Sequence, residues 1–282
     1  MNRILLCIDG SEYTEPVCQY AAWWASQVSA QIEILYVSDL RCFEIPAFAD
    51  LSGSLGVQPY QGVAVQIQEM EKQKAQLLDD RCRELLVEAG MASDAITFIH
   101  LTGFLVDTLQ EKQENYLCLV MGKRGENADF AKGHLGSMME RVVRCASRPV
   151  LVTARKFMPV QRVLLAYDGS ASAVKALDYL LAGSVLENAS FSLVTVAEDR
   201  EAEQYASSLR EAEGRLNAAG IHADCQLLGG EPEDAIAAYV EEQGIDLLVI
   251  GAYGHSRLRH FFIGSTTSEM MRRCKIPVLC FR

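Results

Sequence analysis

Apolar and polar positions follow two rhythms along this chain. Short, almost wholly apolar runs rich in Ile, Leu and Val lie at residues 3–8, 32–37, 119–121, 149–151, 162–167, 191–196, 248–250 and 277–279. Runs with so little polar alternation predict strands covered on both faces, as in a parallel sheet. Between them, residues 66–89 and 202–219 carry apolar side chains at helical spacing, and each stretch stops at a glycine, Gly90 or Gly220. Strands alternating with helices predict right-handed βαβ units in a doubly wound α/β fold. Such sheets bind ligands at the carboxyl ends of their strands, where the strand order reverses.

The pattern occurs twice. Arg3-Ile4-Leu5-Leu6-Cys7-Ile8-Asp9-Gly10-Ser11 returns as Arg162-Val163-Leu164-Leu165-Ala166-Tyr167-Asp168-Gly169-Ser170. Residues 32–37 return at the same spacing as 191–196. Leu119-Val120-Met121-Gly122-Lys123-Arg124-Gly125 returns as Leu248-Val249-Ile250-Gly251-Ala252-Tyr253-Gly254, and Arg148-Pro149-Val150-Leu151 as Ile276-Pro277-Val278-Leu279. Four landmarks in one order define a tandem duplication. The boundary falls near residues 155–160, which gives domains 1–157 and 158–282. The first copy is about 30 residues longer, and the extra length lies between Val37 and Gly103. Within it, residues 40–62 carry Pro46, Gly53, Gly56, Pro59 and Gly62 among Phe43, Phe48 and Tyr60, which predicts an ordered irregular loop. Such a loop is either a surface excursion or a lid over a neighbouring site.

Composition narrows the partners. The 282 residues are 50% hydrophobic, and 26 Lys and Arg stand against 37 Asp and Glu, a formal net charge of -11. Both halves are net negative, so neither supplies the positive field that nucleic acid or an anionic membrane needs. Micromolar, salt-sensitive DNA binding at physiological salt would contradict this expectation. No apolar run is long enough to span a bilayer, and the stretch 4–8 is cut short by Asp9, too short for a signal-peptide core. A cytoplasmic protein is expected. The nine cysteines are scattered without a Cys-x-x-Cys pair, and most sit in apolar stretches. They read as small buried hydrophobes, not as a disulfide framework or a zinc site.

The chemistry gathers at strand ends. In the second copy Gly251 opens Gly251-Ala-Tyr-Gly254, nine residues follow, and Gly264-Ser265 precedes a helix-like run over 266–274. Glycines let backbone approach an anion or adopt positive φ, and the N–H groups of the loop and the helix N-terminus then point at phosphate oxygens. His255, Arg257, Arg259 and His260 surround the loop with positive or neutral donors, and no acidic residue occurs between Gly251 and Ser268. The two histidines read as phosphate-side donors or exposed loop residues, because no Asp or Glu of the loop is there to orient a general base. There is no Gly-x4-Gly-Lys-Ser/Thr run and no Gly-x-Gly-x-x-Gly opening the first helix of either copy, which argues against a P-loop NTPase and a dinucleotide site. His100, His134 and His222 show no metal-ligand spacing. Of Trp23 and Trp24, one ring is expected to face the sheet and the other a neighbour.

The spacing Gly-x2-Gly-x9-Gly-Ser, the duplicated Asp-Gly-Ser opening and the closing Pro-Val-Leu strand together resemble the universal stress protein family, over essentially the whole chain. The resemblance implies, in each copy, a five-stranded parallel sheet of order 3-2-1-4-5 flanked by helices. It also implies ATP, with or without Mg2+, held by an acidic residue after the first strand, backbone after the second, and the glycine motif. Carried over, that names Asp168, Val196, Gly251, Gly254, Gly264 and Ser265. The first copy offers Asp9, Val37, Gly122, Gly125, Gly136 and Ser137, but departs from the pattern. Ten residues separate Gly125 from Gly136, and the segment contains Glu126 and Asp129, whose charges oppose a triphosphate unless a metal or the neighbouring lysines screen them. The function implied is a nucleotide-dependent regulatory binding module of the stress response. The alternatives are a weak ATPase or self-phosphorylating enzyme, and a sensor or carrier of another small ligand. The two copies are expected to pack as an internal pseudo-dimer through their last strands, and a homodimer of whole chains is compatible with the same reading.

Overall fold

The computed structural model describes residues 2–39, 60–125, 136–182, 186, 189–197, 202–252 and 265–282. The first half runs β1 (Arg3–Ile8), α1 (Thr14–Val28), β2 (Gln31–Asp39), α2 (Tyr60–Glu88), β3 (Ile96–Gly103), α3 (Leu105–Lys112), β4 (Cys118–Gly122), α4 (Ser137–Cys145) and β5 (Val150–Thr153). The second repeats it as β6 (Arg162–Ala166), α5 (Ala171–Leu181), β7 (Ser190–Val196), α6 (Ala202–Ala218), β8 (Ala223–Leu228), α7 (Pro232–Glu242), β9 (Leu247–Gly251), α8 (Ser265–Arg273) and β10 (Val278–Phe281).

The glycine stops behave as the sequence predicts. Gly90 and Gly220 take φ of +93° and +77°. Just beyond each, the chain folds back, with Met91 N donating to Leu86 O and Ile221 N to Leu216 O, both at 2.9 Å. Left-handed backbone at that position satisfies carbonyls that the last helical turn leaves open. One expectation is corrected. Tyr60–Gly62, read as irregular loop, have helical backbone at the start of α2. A glycine in a first turn weakens a helix only modestly, and the long amphipathic stretch behind it carries the helix forward. Residues 40–59 lie outside the described residues.

Each half has the order 3-2-1-4-5, and the two halves form one ten-stranded sheet, β3-β2-β1-β4-β5-β10-β9-β6-β7-β8. Every pairing is parallel except the central one, where β5 and β10 run antiparallel with Leu151 opposite Leu279. Both leucines are fully buried. The two last strands thus cover each other's edges, which alone would present unpaired backbone and apolar side chains to solvent. Separate expression of residues 1–157 and 158–282 is therefore expected to give aggregates or self-paired dimers. Two soluble, non-associating monomers would contradict this role for the edge.

The core is shared between the halves on both sheet faces. On the α1 face, Ile4, Leu6 and Ile34 join Leu151, Leu165, Val249 and Leu279 in one buried cluster. On the other, Leu5, Leu119 and Val150 join Leu248, Ile250 and Val278. Helix α1 reaches across the boundary. Trp24, wholly buried, stacks on Tyr179 of α5 with centroids 6.4 Å apart, and Tyr179 meets Phe281 of β10 at 5.2 Å. Trp23 is half-buried beside it and meets Tyr20 edge-on, with centroids 6.4 Å apart. Tyr20 pins the chain between the halves: its hydroxyl donates to Lys156 O and accepts from Met158 N, each at 3.2 Å.

Candidate functional site

The strand order reverses between β1 and β4, which flank each other with β2 beyond one and β5 beyond the other. At their carboxyl ends a cleft opens, lined by the turn after β1, the start of α1 and the loop after β4. This is where an open α/β sheet leaves a crevice, because the chain leaves the two strands toward opposite faces.

One wall is the turn after β1. Gly10 takes φ of +86°, and the Asp9 carboxylate accepts a hydrogen bond from Ser11 N at 3.0 Å. The second half repeats the turn, with Gly169 at +73° and Asp168 accepting from Ser170 N at 2.9 Å. The Asp-Gly-Ser motif is thus a side-chain-closed turn that needs glycine in its left-handed middle. From this turn α1 begins. Its Thr14 lines the cleft, and its hydroxyl oxygen is buried without a hydrogen-bond partner.

The opposite wall is the glycine loop after β4. A Cβ on Gly122 would lie 2.7 Å from Tyr13 Cβ, one on Gly125 would lie 2.5 Å from an Asp9 carboxylate oxygen, and one on Gly136 would lie 3.2 Å from Lys123 O. None of the three has positive φ. Their purpose is space, not left-handed backbone: they let the loop approach the Asp9 turn and the start of α4. Gly136 N donates to Lys123 O at 3.0 Å, which closes the loop onto α4. Gly136 caps that helix with no side-chain hydrogen bond, so the first amides of α4 have no side-chain acceptor there. Such a helix end carries partial positive charge and suits an anion.

Asp9, Gly122, Gly125 and Gly136 line the cleft, and Ser137 begins the helix at its mouth. Val37 packs against the buried cluster on this face of the sheet, behind the lining. Thr14, Tyr13, Arg124, Leu105 and Met139 also line the cleft, and sequence reasoning did not single them out. Only Arg124 carried a signal, as a cation inside the glycine motif. Burial raises the Tyr13 hydroxyl's pKa, and the Arg124 guanidinium opposes that rise. The Cys7 thiol at the cleft floor is pushed up to about 12 by burial and stays protonated at neutral pH. Among the described residues, no group of three His, Cys, Asp or Glu side chains is arranged to hold a metal ion.

In the second half, Val196 and Gly251 end β7 and β9, and Asp168 follows β6, all at the same carboxyl edge. Gly251 abuts the start of α5, where a Cβ would lie 2.6 Å from Ala173 N. Ser170 caps that helix, accepting from Ala173 N at 3.2 Å. Ser265 opens α8. Gly254 and Gly264 lie outside the described residues, as do Glu126 and Asp129 of the first half.

Lys123, one of the lysines neighbouring Glu126 and Asp129 in sequence, does not line the cleft. Its ammonium crosses to the second half and donates to Cys274 O and, at 2.9 Å, to Ile276 O. Burial lowers its pKa to about 8, with no carboxylate among the causes. Between about pH 8 and pH 10 an unfolded chain therefore holds a proton that the folded one has released, so this group's contribution to stability rises with pH. The stability difference between wild type and Lys123→Met should shift in favour of wild type by roughly 1 kcal/mol per pH unit across that window. Denaturant titrations of both proteins at several pH values measure it, because contributions from groups common to both, such as the buried thiols, largely cancel. A difference independent of pH would show that the ammonium is not held in this environment.

Comparison with known proteins places the whole. A model of the universal stress protein family matches residues 1–154 and again 159–282. A universal stress protein of Synechocystis sp. is 41% identical over 289 residues, covering all of both chains. A universal stress protein of Archaeoglobus fulgidus has a similar structure, with a TM-score of 0.72 and 26% identity over 99% of this chain and 95% of its own. A universal stress protein solved in complex with cAMP is 30% identical, with a TM-score of 0.38, over 44% of this chain and 98% of its own. Two family matches in tandem and a full-length relative at that identity establish that this chain belongs to the universal stress protein family.

Proposed function

We propose that the protein is a cytoplasmic regulatory module of the stress response that binds an adenine nucleotide, ATP, in the cleft between β1 and β4. The observation that carries this reading is the cradle itself. Gly122, Gly125 and Gly136 leave no room for side chains where the loop, the Asp9 turn and the start of α4 converge. An anion there meets backbone N–H groups and the Arg124 guanidinium, while the buried Thr14 hydroxyl offers an unused hydrogen-bonding atom. The apolar wall of Leu105, Met138 and Met139 suits a flat base or a sugar face. The second half's Gly251, Gly254, Gly264 and Ser265, with Asp168 and Val196, form an equivalent site on sequence grounds.

Binding, not turnover, fits the side chains. The cleft thiol is protonated, which removes it as a nucleophile, and one Asp9 carboxylate oxygen is taken up in closing its turn. Occupancy would alter the surface shown to a protein partner. Calorimetry with ATP, together with native mass spectrometry of protein purified without added ligand, tests the proposal. Saturable ATP binding at one or two sites per chain is expected. Absence of binding at millimolar ATP would overturn it, and release of stoichiometric ADP would favour the ATPase alternative.

A further inference from the structure

Lys123 is one residue with two grips on the protein, one in each half. Through its backbone carbonyl it accepts from Gly136 N and closes the first half's glycine loop onto the N-terminus of α4. Through its ammonium it holds the carbonyls of Cys274 and Ile276, at the C-terminal end of α8. The side chain is buried, at 8% exposure. A cation there satisfies carbonyls that the end of a helix leaves open and complements the negative end of its dipole. On either side of Lys123, Gly122 and Arg124 line the cleft.

The duplicated chain supplies its own comparison. The residue equivalent to Lys123 is Ala252, which is fully buried and has no donor to send across. The turn after α4 in the first half draws on a side chain of its own half: the Gln113 amide donates to Cys145 O at 3.5 Å and accepts from Ser147 N at 2.7 Å. Among the described residues, the link between a glycine loop and the opposite half's last helix is seen in one direction, from Lys123 to the end of α8.

We propose that Lys123 is a positioning residue that couples the first half's glycine loop to helix α8, so that the state of the cleft is read by the second half. A shift of the loop moves the lysine backbone, and the ammonium cannot follow without releasing two carbonyls in a site with little water to replace them. Helix α8 opens at Ser265, the last residue of the other half's motif, so the cleft of one half is tied to the helix that follows that motif. The coupling needs no ligand to be measured. Its ligand-linked form rests on the nucleotide reading above.

The test is a mutant cycle on the full chain, read by hydrogen exchange of peptides covering the end of α8. Gly125→Ala perturbs the loop from the cleft side, because the new methyl would press on the Asp9 carboxylate. With Lys123 present it should speed exchange at the end of α8 by about fivefold, and in the Lys123→Met background by less than about twofold. If Lys123→Met does not fold, Lys123→Ala, the residue that the second half carries at the equivalent position, removes the donor and carries the same comparison. Equal acceleration in both backgrounds, or none in either, overturns the proposal, since a merely structural lysine would leave the two perturbations additive. In a second arm, run on chains carrying Gly254→Val so that the second half's own motif does not hold ATP against α8, ATP should protect both the cleft peptides and α8 with Lys123 present, but only the cleft in Lys123→Met. Protection of the cleft without α8 when Lys123 is present also overturns the coupling. If ATP protects neither, the nucleotide reading falls, and the ligand-free cycle still decides the coupling.

Discussion

Gly125→Val is expected to weaken ATP binding to the first-half cleft at least about a hundredfold. A Cβ at this position would already lie 2.5 Å from an Asp9 carboxylate oxygen, well inside contact distance, and valine adds two methyls on it. Either the loop retreats or the Asp9 turn opens. Both moves take N–H groups away from the space a phosphate would occupy. Charge-assisted contacts of this kind are worth roughly 1.5–3 kcal/mol each, so losing two accounts for a hundredfold. Gly103→Ala is the control, since nothing lies within 4 Å of a Cβ there and its backbone does not need glycine. Calorimetry on the two variants and on wild type reads the effect. If the second-half motif also binds, one class of sites should vanish in Gly125→Val and the other persist. An unchanged isotherm would remove the loop from the site.

Trp24→Ala should lower the stability of the whole chain by roughly 3–5 kcal/mol, because it empties the largest wholly buried side chain in the core. The loss would not stay in the first half. Trp24 lies on Tyr179, which leans on Phe281 of β10, and β10 is paired with β5. Removing the indole strips contact from α1, from α5 and from the strand that joins the halves. Trp23→Ala, at the half-buried neighbour, should cost markedly less. Chemical denaturation followed by circular dichroism measures both. One cooperative transition moved to lower denaturant is the expected form. Two separated transitions, with only the earlier one moved, would show that the halves melt independently despite the shared sheet.

Much of this architecture was legible in the chain because its determinants are local. An apolar run of five or six residues, an Asp-Gly-Ser turn closed by its own aspartate and a glycine that stops a helix depend on neighbours a few positions away. Each recurs in the second copy because the same residues recur. The approach of loop and turn was legible only as a need for glycine. That Gly122, Gly125 and Gly136 serve close contact, not positive φ, depends on Tyr13, Asp9 and Lys123 O standing where they do, brought there by the pairing of β1 with β4. The lining residues Thr14 and Met139 had no signal of their own, since a threonine or methionine near a helix start is ordinary until the fold turns it toward a cleft. Lys123 shows the limit most clearly. Its place in a glycine motif does not say where its ammonium goes, because a flexible side chain goes to whatever acceptors lie within reach. Those acceptors, Cys274 O and Ile276 O, stand about 150 residues along the chain and arrive only because β5 and β10 pair edge to edge. Local pattern sets which elements form and how each one ends, since those choices are made within a few residues. Which surfaces meet, and so where a long cation points, is set by long-range burial of apolar surface, which short-range spacing does not record.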